Sequence, residues 1–278
     1  ADIRCLIAAH PDWSRRRISV ELAEVWNWRT CTNQLKDMAA RSLLLKLEQR
    51  GMLVLPPRRK EASRRSPVAA ATPADELQPA NITGPLAALQ PLRLETVTAG
   101  SPHYAVFLRY LARHHYLGFR GPVGENIAYM ARDRQGRDLA CILFGAAAWK
   151  TKPRDSWIGW DDATRARRLP LLANNSRFLI LPWVRVPHLA SHILGRITRR
   201  LATDWRARYG HPVWLAETFV ERQRFRGTCY RAANWTCVGQ TQGRTRQDRV
   251  HNISAPVKDI YLYALTPRFR EELNHVDA

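Results

Sequence analysis

The stretch from 178 to 220 reads FLILPWVRVPHLASHILGRITRRLATDWRARYGHPVWLAETFV, and its pattern decides the fold class. It opens with the short apolar run Phe178–Leu181, which is typical of a buried strand. Gly210 ends the segment 189–208, and a second apolar run follows over 213–220. Within 189–208 the apolar residues recur every four positions, the spacing of a helix buried on one face: Leu189, Ile193, Ile197, Leu201 and Trp205. Strand, long helix, strand indicates an α/β sheet.

The flanking residues extend this sheet in both directions. Upstream, 103–113 has helical spacing, and two apolar runs at 126–131 and 139–144 enclose the turn Asp133–Gly136, which predicts a hairpin. Downstream we expect a short helix and two strands, at 226–233, 235–239 and 259–265. The charged stretch 161–172 is interpreted as helical. Residues 96–278 are therefore predicted to form one mixed-sheet α/β domain.

The first 60 residues have a different pattern. Three segments show helical spacing, and the apolar run 52–55 before two prolines predicts a short strand leading into a wing. This order and size predict an N-terminal winged helix-turn-helix over 1–60; a small helical bundle with a solvated basic face is the alternative. Residues 61–95 are rich in Ala and Pro and are interpreted as a linker.

The charge balance points to a polyanionic partner. The chain has 44 Lys and Arg against 24 Asp and Glu, a formal net charge of +20. A field of this size predicts nucleic acid, and DNA is the expected partner. We expect no membrane partner, since no apolar window of about 18 residues is present. The N-terminus shows no secretory pattern, and the cysteines are scattered without metal-ligand spacing, which predicts reduced thiols in the cytoplasm and no bound metal: Cys5, Cys31, Cys141, Cys229 and Cys237.

Two resemblances to known families are carried by particular residues. The element order around 178–240 resembles the acyltransferase fold of the GNAT type, and the segment Gly227–Trp235 resembles its late helix, which often carries a tyrosine acting as general acid. Nearly the whole chain resembles the Druantia DruA-like family, through 10–57, Arg154–Trp160, Asn174–Ser191 and 217–244. That family is associated with an anti-phage defence system and occurs with transposase-like genes. The resemblance implies partners among the proteins of such a system and does not imply a chemistry.

One departure from the GNAT pattern concerns the cofactor. The turn Val184–Ser191 before the long helix lacks the glycines that normally hold a pyrophosphate on backbone N–H groups, and Pro187 removes a donor. The departure counts against ordinary acetyl-CoA use and leaves the cofactor unknown.

Basic residues are concentrated where DNA would be contacted. In the N-terminal segment they lie on the second helix, at the start of the third and in the wing. In the larger domain they cluster between 222 and 249 with aromatic residues between them, although a solvated loop is the alternative. Trp157 and Trp160 are candidates for base stacking, with a core role as the alternative. The predicted nucleic-acid contacts are Arg15, Arg16, Arg17, Lys36, Arg58, Arg59, Arg177, Arg222, Arg224, Arg226, Arg231, Arg244, Arg246 and Arg249.

A candidate catalytic pocket contains Glu217, Tyr230 and Asn234. Glu217 lies in an apolar strand, where a carboxylate must be paired or used, and we interpret it as general base or metal ligand. Pairing with Arg177 is the alternative. Tyr230 would be the general acid, and Asn234, one helical turn later, would orient the substrate. Asn174, Asn175 and Arg177, just before a strand, are candidates for further polar groups at the same end.

Three functions follow from these features. The main prediction is a DNA-binding protein of an anti-phage or transposon-type system, acting through the winged helix and the Arg-rich domain. The alternative is a GNAT-like enzyme that modifies a nucleobase or another nucleic-acid group. A metal-dependent DNA-cleaving enzyme is a third, although Asp155, Asp161, Asp162 and Glu217 have no recognisable spacing.

Overall fold

The structure is a computed structural model that describes residues 3–29, 35–57, 80–119, 121–122, 124–243 and 255–275. The chain forms two compact units, Ala1–Ser66 and Pro67–Ala278.

The described part of the N-terminal unit contains three helices, α1 (Ile3–Ala9), α2 (Arg15–Val25) and α3 (Asp37–Gln49). The side-chain oxygen of Ser14 accepts a hydrogen bond from the backbone N–H of Arg17 and caps α2, as the sequence predicts. The helices enclose a small apolar core formed by Ile18, Leu22, Ala23, Ala40, Leu44, Leu53 and Leu55.

The predicted strand at 52–55 is wrong. Leu53 and Leu55 are buried while Met52 and Val54 are exposed, so the segment alternates like a strand, but it pairs with no described residue. The alternation follows from packing against the helices, which a period of two cannot distinguish from sheet pairing. The wing, with Arg58 and Arg59, lies outside the described residues. A winged helix is therefore not shown.

The larger unit is built on a seven-stranded mixed sheet with the order β2-β3-β4-β5-β7-β9-β8. This confirms the predicted mixed α/β class. All neighbouring pairs are antiparallel except β5 with β7, which run parallel. Two further short strands, β1 (Ile82–Thr83) and β6 (Val184–Arg185), pair with each other. The strands of the sheet are β2 (Arg93–Val97), β3 (Asn126–Arg132), β4 (Asp138–Ala146), β5 (Leu172–Ile180), β7 (Leu215–Glu221), β8 (Thr236–Gln240) and β9 (Lys258–Ala264).

Helices cover both faces of this sheet. On one face a large core joins strand residues such as Ala173 and Ala216 to the long central helices. On the other face a smaller core joins Leu172, Leu215 and Leu262 to the remaining helices. The first face is covered by α4 (Tyr104–His114), α7 (Leu189–Thr198), α8 (Leu201–Tyr209) and α9 (Thr228–Ala232), and the second by α5 (Lys152–Ile158), α6 (Asp162–Arg168) and α10 (Phe269–Asn274).

The parallel strands β5 and β7 separate soon after they meet. They pair only at Leu172–Leu215, Ala173–Ala216 and Asn174–Glu217, although both strands continue. On its other side β5 carries a β-bulge: Phe144 pairs with Asn175 and Leu143 with Arg177, which leaves Ser176 as the extra residue. Because a bulge bends its strand, β5 turns away from β7 and a cleft opens between them.

Three boundaries differ from the sequence predictions. Residues 82–83 and 93–95, assigned to the linker 61–95, belong to strands. The helix predicted over 189–208 is two helices, α7 and α8, that break at Arg199 and Arg200. The strand predicted to begin at Phe178 begins at Leu172. The sequence pattern missed its first half because polar residues interrupt the apolar run there.

Candidate active site in the cleft between β5 and β7

The cleft contains a cavity of about 520 Å³. Its walls come from the end of α4, from β5 and β7, and from the segment that leads into α9. The lining contains no Asp or Glu among the described residues: it consists of His114, His115, Tyr116, Leu117, Asn175, Ser176, Phe178, Leu179, Ile180, Thr218, Phe219, Val220, Phe225, Arg226, Gly227, Thr228, Cys229 and Tyr230.

A buried polar cluster joins the two strands where they separate. The Tyr230 hydroxyl donates to Asn175 Oδ1 at 2.7 Å, and Thr218 Oγ1 lies 3.5 Å from the same hydroxyl. Thr218 Oγ1 also donates to the backbone carbonyl of Asn175 at 3.0 Å. The Asn175 amide nitrogen donates to the carbonyls of Leu143 and Arg177, both at 3.1 Å, and so satisfies backbone groups beside the bulge. The cluster fixes Tyr230 in one orientation at the cavity wall.

Burial determines the protonation state of Tyr230. Removal from water raises the pKa of its hydroxyl well above the ordinary value, chiefly by desolvation. Tyr230 therefore keeps its proton at neutral pH and acts as a hydrogen-bond donor rather than as a base.

His115 is neutral in the same cavity. Its burial, followed by the positive charge of Arg177, lowers the pKa of the imidazole to about 4. The backbone N–H of Leu117 donates to Nδ1 at 3.2 Å, so the proton of the neutral ring sits on Nε2. Burial also lowers the pKa of His114, which lines the cavity as well.

Glu217 does not belong to this cluster. Adjacent residues of a strand face opposite sides of the sheet, so Thr218 faces Tyr230 and Glu217 faces α5. There the fully buried carboxylate accepts hydrogen bonds from the Ala148 N–H at 2.6 Å and from Arg154 at 2.9 Å. The predicted pocket of Glu217 with Tyr230 is therefore not assembled, and the ion-pair partner is Arg154 rather than Arg177.

Asn234 does not belong to the buried polar cluster around Tyr230 either. It follows α9 with a left-handed φ of 63° and is exposed, whereas Tyr230 is buried. Asparagine is one of the few residues that adopt this conformation readily. The structure gives Asn234 a place in the turn after α9 instead of the substrate-orienting position that its spacing predicts.

The sequence interpretation missed Thr218 and Arg154, and it included Asn175 only among the further polar groups at the same end of the pocket. Arg154 is fully buried and contacts Asp155 at 2.7 Å as well as Glu217. The signal for Arg154 was its position in the stretch Arg154–Trp160, which carries the family resemblance. For Asn175 and Thr218 the signal was the polar character of residues within strands that are otherwise apolar.

A second cavity of about 260 Å³ adjoins the first. The two cavities share Ile180, Thr228 and Cys229 in their walls. The second one extends along Val186 and His188 to Leu189, Ala190 and Ser191 at the start of α7.

No side chain caps the N-terminus of α7. The first N–H groups of a helix have no acceptor within the helix and carry a partial positive charge. His188, with a left-handed φ of 63°, occupies the N-cap position. Pro187 precedes this cap, so it removes none of the N–H groups of the first turn, in contrast to the expectation from the sequence.

Two of the predicted nucleic-acid contacts are partly buried and bind groups of their own unit, and three others are surface residues in ion pairs. Arg15 binds both carboxylate oxygens of Glu48 and the Pro56 carbonyl, and Arg177 donates to the carbonyls of Gly118 and Ser176. Arg17, Arg222 and Arg224 pair with Glu21, Asp259 and Glu221. Within the described part of the chain, the exposed residues of the set are Arg16, Arg17, Lys36, Arg222, Arg224, Arg226 and Arg231. Arg58, Arg59, Arg244, Arg246 and Arg249 lie outside the described residues.

The other candidate residues also have structural partners. Trp157 stacks on Phe269, and Trp160 donates its indole N–H to the Leu273 carbonyl, so neither ring is an open platform. Asp161 caps α6, and Asp162 binds Lys150 and Arg165. Within the described residues, no group of His, Cys, Asp and Glu side chains is arranged to hold a metal, and no helix there could cross a membrane.

Comparison with known families identifies the chain at the level of family. The family described as Druantia protein DruA matches residues 46–274, which is more than half of the sequence. The chain belongs to the DruA family. Membership confirms the resemblance on which the sequence interpretation relied. A search of curated proteins finds no significant match.

Solved structures with a similar fold are N-acetyltransferases. Spermidine/spermine N-acetyltransferase SpeG from Vibrio cholerae has 10% identity and a TM-score of 0.39, with 66% of this chain and 95% of that chain covered. Spermidine N-acetyltransferase from Vibrio cholerae in complex with CoA and spermine has 9% identity and a TM-score of 0.41, with 63% of this chain and 95% of that chain covered. A protein provisionally assigned as phosphinothricin N-acetyltransferase has 12% identity and a TM-score of 0.42, with 63% of this chain and 99% of that chain covered. At these values the likeness concerns the fold alone.

The comparisons contradict the main functional prediction. The structures returned are N-acetyltransferases rather than DNA-binding proteins, and DNA binding, the main prediction from the sequence, has no support among the comparisons. Part of the basic charge on which that prediction relied is paired with acids of the same unit: Arg15 with Glu48, Arg222 with Asp259 and Arg224 with Glu221.

Proposed function

We propose that this DruA-family chain is a GNAT-like group-transfer enzyme that moves an acyl group in the cleft between β5 and β7. The observation that supports this most is the separation of two parallel strands after three residue pairs, with a buried, protonated tyrosine at the point of separation. The opening provides space, and the tyrosine provides a positioned proton.

The residues around the cleft fit an elongated thioester donor such as acyl-CoA. The two adjoining cavities form a path from the gap between the strands to the start of α7. The N–H groups of Ala190 and Ser191 would hold a phosphate there through the helix dipole, and their small side chains leave room for it. This replaces the glycine-rich turn that the sequence lacks. When bound, such a donor supplies an electrophilic carbonyl carbon and a thiol leaving group.

The chain's own residues then have distinct tasks. Tyr230 holds a proton at its hydroxyl and is placed to donate it to a developing negative charge. Asn175 and Thr218 fix that hydroxyl. His115, neutral and protonated on Nε2, is a second hydrogen-bond donor and is too weakly basic to accept a proton near pH 7.

Replacement of Tyr230 by Phe tests this assignment. We expect Tyr230→Phe to lower the rate of acyl transfer by about 100-fold, because one positioned proton donor is lost. CoA affinity, measured by titration calorimetry, should change little. Tyr129→Phe is the matched control, because the Tyr129 hydroxyl is also buried but binds Asp204 outside the cavity. Equal rates for the wild-type protein and Tyr230→Phe would refute the role of Tyr230.

A second variant tests the donor site without any measurement of catalysis. Ala190→Glu places a negative charge at the start of α7, where it repels phosphate but interacts favourably with the helix dipole. We expect weaker CoA binding by at least about tenfold, with no loss of thermal stability. Ala202→Glu, at the same position in α8, should leave CoA affinity unchanged. Absence of CoA binding to the wild-type protein would rule out the proposed donor.

Two predictions from the sequence stay predictions. They are the cytoplasmic location and participation with other proteins of a defence or transposition system. Both are compatible with the proposed enzyme.

A further inference from the structure

Four residues form an aromatic and basic rim at the cavity: Tyr116, Arg224, Phe225 and Arg226. Tyr116 and Phe225 are 36% and 48% exposed, and their rings meet edge to face at 5.2 Å between centroids. Tyr116 also stacks on His115, and the Arg224 guanidinium lies 5.3 Å from the Tyr116 ring centroid. These contacts hold Tyr116 in place and leave about half of Phe225 available to a planar ligand.

The charge of the rim is positive. Glu221 is 7% exposed and pairs with Arg224 at 3.0 Å, so this acid offers little charge to a ligand. Arg226 is exposed, lines the cavity and forms no ion pair with a described acidic residue. A ligand that reaches the rim therefore meets aromatic surface and an available guanidinium together. Nucleotides combine a base that stacks on aromatic rings with a phosphate that binds arginine.

The cavity itself favours an uncharged nucleophile. Its described lining lacks a carboxylate, and the pKa of His115 is about 4, so none of these groups would readily deprotonate an aliphatic ammonium. A polyamine would also be repelled by the arginines. The amino group of a nucleobase and the hydroxyl of a sugar are neutral at pH 7 and attack the thioester carbonyl without prior deprotonation. The C–S bond breaks as the new bond forms, Tyr230 protonates the departing thiolate, and the proton that the acceptor loses returns to the Tyr230 oxygen.

We infer that the rim binds a nucleotide as the acceptor of the transfer, with the base against Phe225 and Tyr116 and a phosphate at Arg226. This inference names the acceptor of the proposed function and rests on it. Free nucleotides and nucleotides within a strand share this chemistry, and the experiment below separates them.

The test measures binding to the full chain by calorimetry with CoA at saturation, so that the donor site is occupied. The probes are AMP, CMP, GMP and UMP, the four nucleosides, inorganic phosphate, spermidine, and a short single-stranded oligonucleotide. We expect Phe225→Leu to weaken nucleotide binding about tenfold through lost stacking. Arg226→Gln should weaken binding of nucleotides but not of nucleosides. Trp149→Leu is the control, since Trp149 is 50% exposed beside Arg165 and does not line the cavity.

The outcomes separate this inference from the proposed function. Nucleotide binding that Phe225→Leu weakens and Trp149→Leu does not supports the rim, and the oligonucleotide shows whether the base comes from a strand. Normal CoA binding with no binding of any nucleotide or oligonucleotide, or with equal binding by Phe225→Leu, overturns the inference alone. Tighter binding of spermidine than of nucleotides also overturns it. Rim-dependent nucleotide binding without CoA binding instead contradicts the proposed donor.

Discussion

Glu217 and Thr218 are neighbours in the chain but contribute to different sides of the sheet. Thr218 helps to fix the Tyr230 hydroxyl, while Glu217 and Arg154 form a fully buried ion pair on the face of α5. Loss of Glu217 would leave the buried charge of Arg154 with Asp155, at 2.7 Å, but without its second carboxylate, and water does not reach it. We therefore assign the Glu217 carboxylate to the stability of the fold, and the Thr218 hydroxyl to the positioning of Tyr230 in the active site.

Replacement of Glu217 by Gln should therefore affect folding more than activity. We expect Glu217→Gln to lower the free energy of unfolding by about 3 kcal/mol, because Arg154 loses a buried counter-charge. Acyl transfer by the folded fraction should stay within a few-fold of the wild-type rate. Glu95→Gln makes the same change in an ion pair whose glutamate is 41% exposed and should cost less than about 1 kcal/mol. Urea unfolding measures the stability of the two variants, and acyl-transfer kinetics measure their activity. A Glu217→Gln variant that is inactive but as stable as the wild-type protein would contradict the structural role of Glu217.

His115 should make the stability of the protein dependent on pH. Its pKa is lowered to about 4 when folded, whereas the unfolded imidazole titrates near its ordinary value of 6.5. Below pH 6.5 the unfolded chain binds a proton that the folded chain does not, so stability present above pH 6.5 is lost as pH falls toward 4. The full effect is on the order of 3 kcal/mol.

His115→Asn isolates this contribution. The Asn side-chain oxygen still accepts the Leu117 N–H but does not titrate. We expect the difference in unfolding free energy between pH 7.5 and pH 5 to be smaller in the variant than in the wild-type protein. An identical pH dependence in the two proteins would show that His115 does not carry the effect.

At the scale of elements, α9 depends on the glycine that precedes it. Gly227 has a φ of 66° and occupies the N-cap position of the helix that carries Tyr230. A Cβ at Gly227 would collide with the Tyr261 ring, whereas at Gly210, with a φ of 77°, no atom lies within 4 Å. An alanine at Gly210 would therefore introduce backbone strain alone, whereas an alanine at Gly227 would introduce both strain and a collision with Tyr261.

We expect Gly210→Ala to cost only the strain of a left-handed residue, about 1 kcal/mol. Gly227→Ala should cost more and should also reduce acyl transfer, since α9 must shift and move Tyr230 away from Asn175. Thermal unfolding and kinetics of the two variants provide the comparison. Equal losses of stability and activity in both would mean that the Tyr261 collision has no influence on α9.

Most elements of the larger unit were predictable because their patterns are local. The hairpin of β3 and β4 and the helix α4 follow the sequence to within a few residues. The break between α7 and α8 was not predictable, since the four-residue apolar spacing continues through it. Arg200 stabilises the break by binding Asp204 and the Leu94 carbonyl, the latter a contact over 106 positions that no local pattern contains. The start of β5 was missed because Asn174 and Asn175 are polar residues in the middle of a sheet.

At the scale of the whole molecule, the larger unit has its own extensive core. The core around Ala173 and Ala216 and the second core around Leu215 and Leu262 are both formed within Pro67–Ala278. We expect residues 80–278 to fold alone with one cooperative thermal transition and to bind CoA within about twofold of the full chain. An unfolded or aggregated product, compared with the full chain under the same conditions, would show that the N-terminal unit is needed for folding.

The site and the function were harder to predict than the fold, for a reason that concerns charge. A net charge of +20 is a sum over the chain and contains no information about pairing. Arg154 is used inside the protein, and Arg15, Arg200 and Arg224 bind acids of their own units. Tyr230 was identified through the GNAT resemblance, but its partners Asn175 and Thr218 come from two strands whose meeting depends on the fold.

The three-pair contact between β5 and β7 has a consequence for how this family could diversify. Beyond Asn174 and Glu217 the two strands share no ladder pairs, and cavity-lining residues such as Leu117 and Ser176 neither contact the Tyr230 hydroxyl nor belong to the buried cores. Mutations there could alter which molecules enter while the cores on both faces stay intact. Selection can thus vary specificity at little risk to folding.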